Sequence, residues 1–72
     1  MNNQSMTKLE TIRRFRELTR RDLADRSGIS ERTIEAYEQR RRSLINASYK
    51  DVKTLADVLN VEIDRLIDDP DE

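Results

Sequence analysis

LTRRDLADRSGISERTIEAYE, residues 18–38, holds two short helical patterns separated by the single glycine of the chain. Thr19 and Asp22 have the spacing of a capping box, in which the hydroxyl accepts from the backbone N–H three residues on and the carboxylate reaches back. Leu23 and Ala24 supply the inward side of a short helix, and Gly28 suits the left-handed residue that ends it. Ser30 is an N-cap only two residues later, and Ile34 and Tyr37 have the i, i+3 spacing of a buried stripe. Two helices joined by so tight a turn must cross rather than lie antiparallel.

Working outward, Thr7 and Glu10 repeat the capping signal and start an earlier helix. Leu9, Ile12, Phe15 and Leu18 recur at three-residue steps and are expected to form its buried face, flanked by Lys8, Arg13, Arg14 and Arg16. Residues 39–47 show no sustained period and read as a basic loop with Leu44 and Ile45 pinned to the core. Ser48 and Asp51 give a third capping box, from which a helix with Val52, Leu55, Ala56 and Leu59 inward runs to a left-handed stop at Asn60. A last short helix near Glu62 to Ile67 is expected to bring Val61, Ile63, Leu66 and Ile67 to the core. The spacing therefore predicts an all-α fold of five short helices, with one domain over residues 7–67. Residues 1–6 form a polar tail, and residues 68–72 an acidic one around Pro70.

Composition narrows the function classes. A chain of 72 residues, 40% of them charged and 35% hydrophobic, supports one thin core. It contains no cysteine and no histidine, which removes disulfides, the usual zinc sets, thiol nucleophiles and the commonest general base. Neither a metal nor a cofactor is expected, and neither is enzymatic chemistry. No stretch approaches the roughly 20 apolar residues of a membrane span, and the N-terminus lacks the order of a secretion signal, so a soluble cytoplasmic protein is expected.

The formal net charge of −1 hides a segregation. Residues 13–42 carry ten arginines against six acidic residues, whereas residues 51–72 carry two basic residues against eight acidic ones. A polyanion responds to the local face presented to it, so the basic segment matters more than the average.

The segment 18–38 resembles the helix-turn-helix of the phage repressor and Cro family, also called the XRE family. In that pattern a small residue, here Ala24, lets the crossing helices approach. A glycine, here Gly28, makes the turn, and Ile29 and Ile34 fill the space between the helices. The resemblance continues through TLADVLNV (residues 54–61) and IDRLI (residues 63–67) and covers about residues 7–67. It implies a lambda-repressor-like domain whose helices 2 and 3 form the motif, and an ion pair between Arg13 and Glu38. Three positions depart from the family: Glu17 and Arg40 stand where glycine is usual, and Arg20 where glutamine is frequent. The loop over residues 41–48 is also longer than the commonest form.

What the resemblance implies is a transcriptional regulator, of the Cro-like repressor kind, that reads duplex DNA in the major groove with helix 3. If Ile34 and Tyr37 face inward, then Glu31, Arg32, Glu35, Ala36 and Gln39 face outward, with the Ser30 and Thr33 hydroxyls near the helix start. Arg32 is the first candidate for base reading, because a guanidinium donates two hydrogen bonds to guanine O6 and N7. Ala36 would leave room beside a thymine methyl. Glu31 would accept from cytosine N4 or simply favour the helix N-terminus. Arg20 and Arg21 are candidates for phosphate contact, and Arg40, Arg41 and Arg42, with Asn46, Ser48 and Lys50, for a second anchor. One short helix reads only a few base pairs, so a homodimer on a pseudo-palindromic site is expected, with reading helices roughly 34 Å apart. Its contact would lie around Leu44, Ile45 and the last two helices. The competing expectation is a protein-interaction module, such as an antitoxin or anti-repressor, served by Glu31, Glu35, Glu38 and the acidic end.

Overall fold

Capping side chains set the start of every α-helix. The computed structural model describes residues 6–68, and within them α1 (Lys8–Phe15), α2 (Arg20–Ser27), α3 (Glu31–Glu38) and α4 (Tyr49–Leu59) follow one another. The hydroxyls of Thr7, Thr19, Ser30 and Ser48 each accept from the backbone N–H three residues on. The full reciprocal box forms at Thr19, whose N–H donates to the Asp22 carboxylate over 2.9 Å. At Thr7 it does not, because Glu10 turns to Arg14 instead, at 2.8 Å.

Left-handed residues set every helix end. Glu17, Gly28, Arg40 and Asn60 have φ of 60°, 78°, 64° and 59°. After α1, the N–H groups of Glu17 and Leu18 bond back to Arg14 and Arg13 carbonyls, and after α3 those of Arg40 and Arg41 bond back to Tyr37 and Ala36. Both are Schellman closures, normally built on glycine. The two family departures, Glu17 and Arg40, thus keep the glycine backbone without the glycine.

The core is a single cluster. Leu9 of α1, Leu23 of α2, Ile29 of the turn, Ile34 and Tyr37 of α3, and Val52, Leu55, Ala56 and Leu59 of α4 are buried together with Leu44 and Leu66. α2 packs against both α3 and α4 and so stands at the centre of the bundle.

Three expectations fail here. The fifth helix is a single 3₁₀ turn, Ile63–Arg65, without a side-chain cap at Glu62. So short a segment gains too few hydrogen bonds to nucleate an α-helix, yet Leu66 still reaches the core and is fully buried. Phe15 is 77% exposed. Steps of three residues each fall about 60° short of a full turn, so the line from Leu9 through Ile12 has rotated out of the core by Phe15, and Arg13 takes the inward position. In a second 3₁₀ turn, Leu44–Asn46, Leu44 is buried but Ile45 is 54% exposed, since neighbouring residues cannot share one face of so tight a turn.

The tails expected on sequence grounds lie mostly outside the described residues. Asp68 does not: its Oδ1 accepts from the Lys8 backbone N–H over 3.2 Å, at the positive end of α1 where a carboxylate is favoured. Lys8 Nζ also donates to the Ile67 carbonyl, so residues 67 and 68 are tied to the first helix. No helix among the described residues is long and apolar enough to cross a membrane.

Candidate nucleic-acid interface

One flank of α3 is locked and the other is open. Ile34 is fully buried and Tyr37 nearly so, which fixes the rotation of the helix about its axis. Glu38 completes the lock. Its side chain has no exposure and is gripped by Arg13, whose Nε donates to Oε2 over 2.7 Å and Nη2 to Oε1 over 3.0 Å. Arg13 Nη1 reaches the Leu18 carbonyl as well, at 2.8 Å, so one guanidinium joins α1, the α1–α2 turn and α3. The expected Arg13–Glu38 pair is present and bidentate, the strong form of such a contact.

Arg20 joins the same carboxylate. Its Nε donates to Glu38 Oε1 over 2.8 Å, and this bond, above all, raises the Arg20 pKa and keeps the group charged. The residue expected at phosphate is thus engaged inside the protein, with 29% of its side chain exposed. No sequence signal marked this: a family position that usually holds an amide here holds a longer cation that reaches α3.

The open flank carries Ser30, Glu31 and Arg32, all exposed, and the half-buried Thr33. Ser30 Oγ donates to Thr33 Oγ1 over 2.9 Å while accepting from the Thr33 N–H, so the two hydroxyls are held at the helix start. The Arg32 side chain makes no hydrogen bond or ion pair among the described residues. Ala36, expected on this flank, is not there. It is only 8% exposed and does not line the open flank, because the chain after α3 folds back over it, with the Arg41 and Arg42 N–H groups both bonding to its carbonyl at 2.9 and 3.2 Å.

The basic loop begins at that fold-back. Arg41 donates from Nη1 to Gln39 Oε1, and the Arg42 guanidinium lies 5.3 Å from the centre of the Tyr37 ring, a cation–π distance. Arg40, Arg41 and Arg42 are exposed, as are Arg21 at the start of α2 and Asn46, Ser48 and Lys50. No hydrogen bond or ion pair among the described residues joins Asn46, Ser48 or Lys50 to α3. Of the ten arginines in the basic segment, Arg13 and Arg20 serve Glu38, and Arg16 donates from Nε to the Leu59 carbonyl over 2.8 Å, capping the negative end of α4. Arg14 pairs with Glu10 over 2.8 Å, and the exposed Arg21, Arg26, Arg32, Arg41 and Arg42 present positive charge to solvent.

Two crossing helices joined at a left-handed glycine, the second presenting an exposed flank, define a helix-turn-helix module. A helix-turn-helix domain family model matches residues 7–68, and the chain belongs to that family. The structure is similar to the N-terminal DNA binding domain of SinR from Bacillus subtilis, with a TM-score of 0.76 and 20% identity, over 90% of this chain and 91% of that one. No curated protein sequence matches significantly.

Proposed function

We propose that the protein is a sequence-specific duplex-DNA-binding transcription regulator, a Cro-like repressor acting in the cytoplasm, without enzymatic chemistry. It inserts the open flank of α3 into the major groove, with Arg32 reading guanine and Ser30, Glu31 and Thr33 beside it, while Arg21 and Arg40–Arg42 grip phosphate. Asn46, Ser48 and Lys50 extend that grip, and two copies bind a pseudo-palindromic site. The carrying observation is the asymmetry of α3: Ile34, Tyr37 and the Arg13–Glu38 pair hold one side, while Ser30, Glu31 and Arg32 remain exposed. The fold shared with the N-terminal DNA binding domain of SinR supports the reading.

The rival, a protein-interaction module, drew on three glutamates of α3. Glu38 is buried between two arginines, so of the three only Glu31 and Glu35 remain for such a partner; of the acidic end, Asp68 is bonded to Lys8 and residues 69–72 lie outside the described residues. Titration of labelled duplex DNA at two salt concentrations separates the readings. The DNA reading expects log affinity to fall linearly with log salt, by nearly one unit of slope per phosphate contact. Absence of duplex binding at low salt would favour the protein partner.

A further inference from the structure

With Ala36 withdrawn, the middle of the open flank belongs to Glu35. This residue stands one turn after Arg32 and one turn before Gln39 on α3, and its side chain is 40% exposed. Its carboxylate is tethered from one side only. Gln39 Nε2 donates to Oε2 over 3.2 Å, and Arg20 Nη1 lies 3.8 Å from the same oxygen. Gln39 is itself held, since its Oε1 accepts from Arg41. The other oxygen, Oε1, accepts no hydrogen bond among the described residues. An anion fixed through one oxygen and unoccupied at the other is pre-organised to receive one further donor.

We propose that Glu35 reads a cytosine, accepting a hydrogen bond from its exocyclic N4 amino group in the major groove, with Gln39 and Arg20 as the positioning residues. The inference rests on the DNA-reading function. An ionised carboxylate only accepts, and phosphate oxygens repel it, so an anchoring role on the backbone is excluded. The major-groove donors are the amino groups of cytosine and adenine. Guanine and thymine present only acceptors at their polar edges and so repel a carboxylate, whereas adenine offers its amino group but sets the N7 acceptor beside it, which weakens the contact. Discrimination therefore comes from rejecting guanine and thymine and disfavouring adenine as much as from binding cytosine.

Selection of bound sites from random duplexes, carried out with wild-type protein, Glu35→Ala and Glu35→Gln, tests this, with circular dichroism verifying that each variant is helical. Wild type is expected to select cytosine at one position under each reading helix. Glu35→Ala should lose that preference by roughly fivefold or more while the rest of the site is unchanged, and Glu35→Gln, which offers a donor and an acceptor, should shift it towards adenine. An identical base preference in wild type and Glu35→Ala overturns the role of Glu35 but leaves DNA reading standing. A wild-type protein that selects no sequence at low salt overturns both.

Discussion

Glu38 shows how one buried side chain fixes a surface. Its carboxylate is wholly enclosed, and charge of that kind is tolerated only when paired and hydrogen-bonded. Arg13 and Arg20 supply three bonds between them. Removing the carboxylate strands the Arg13 guanidinium in the interior, so Glu38→Ala should cost about 3–5 kcal/mol. A domain of this size has roughly 4–10 kcal/mol in total, and urea denaturation followed by circular dichroism should therefore find that the variant has lost about a third or more of its stability. Arg13→Ala should cost less, because Glu38 keeps its bond from Arg20. On the proposed function, two other arginines separate reading from gripping. Arg32→Ala should relax sequence preference and cost roughly 1–3 kcal/mol on the best site, whereas Arg41→Ala should weaken all duplexes alike and flatten the salt slope by about one. Fluorescence polarisation on matched and scrambled duplexes distinguishes these outcomes, and equal effects of both variants on every sequence would remove the assignment.

At the scale of the elements, the helix ends carry the strain. A side chain other than glycine in the left-handed region costs roughly 1–2 kcal/mol, and asparagine tolerates it better than most, which leaves Glu17 and Arg40 as the two costly positions. Glu17→Gly should raise stability by about 0.5–1 kcal/mol once the extra freedom of glycine in the unfolded chain is deducted, and Arg40→Gly by a similar amount, read as higher denaturation midpoints. Gly28→Ala should act in the opposite sense. Nothing lies within 4 Å of an added Cβ there, so its cost is conformational alone. The start of α2 adds a pH dependence. The Thr19 backbone N–H, assisted by the Thr19 side chain, holds the Asp22 carboxyl below its ordinary value. A lowered carboxyl pKa means that the unfolded chain binds the proton more readily. The contribution of Asp22 is therefore complete above about pH 4 and is lost as pH falls through the lower folded value. Thermal midpoints followed from pH 6 to pH 2 should fall less steeply in Asp22→Asn than in wild type.

For the whole molecule, the sequence was legible wherever one residue type answers one physical need. Hydroxyls before apolar stripes marked all four helix starts, and Gly28 and Asn60 marked two of four ends. Glu17 and Arg40 occupy the same backbone state, but their side chains carry no preference for it, so those ends were marked only by the family's glycine positions. Phe15 and Ile45 lie outside the core because hydrophobicity alone does not fix burial: a helix with steps of three drifts off its own core, and a small domain always leaves some apolar groups outside. Ala36 was misplaced because a helical wheel ignores the chain that folds back after the helix. In the candidate interface the Arg13–Glu38 pair was legible from family pattern. The diversion of Arg20 to Glu38, and of Arg16 to the end of α4, depends on reaches between helices that no local spacing encodes.

The rigid module, then, keeps one side of α3 inside the bundle and offers the other to a ligand, with exposed guanidinium groups at Arg21, Arg32 and Arg40–Arg42 around it. Backbone amide NMR spectra recorded while a selected duplex is added interrogate that arrangement residue by residue. The largest shifts should fall on Ser30 to Glu35, with a second group at Arg40 to Arg42 and the start of α2. Shifts confined to α4 and the Ile63–Arg65 turn, with α3 silent, would contradict it.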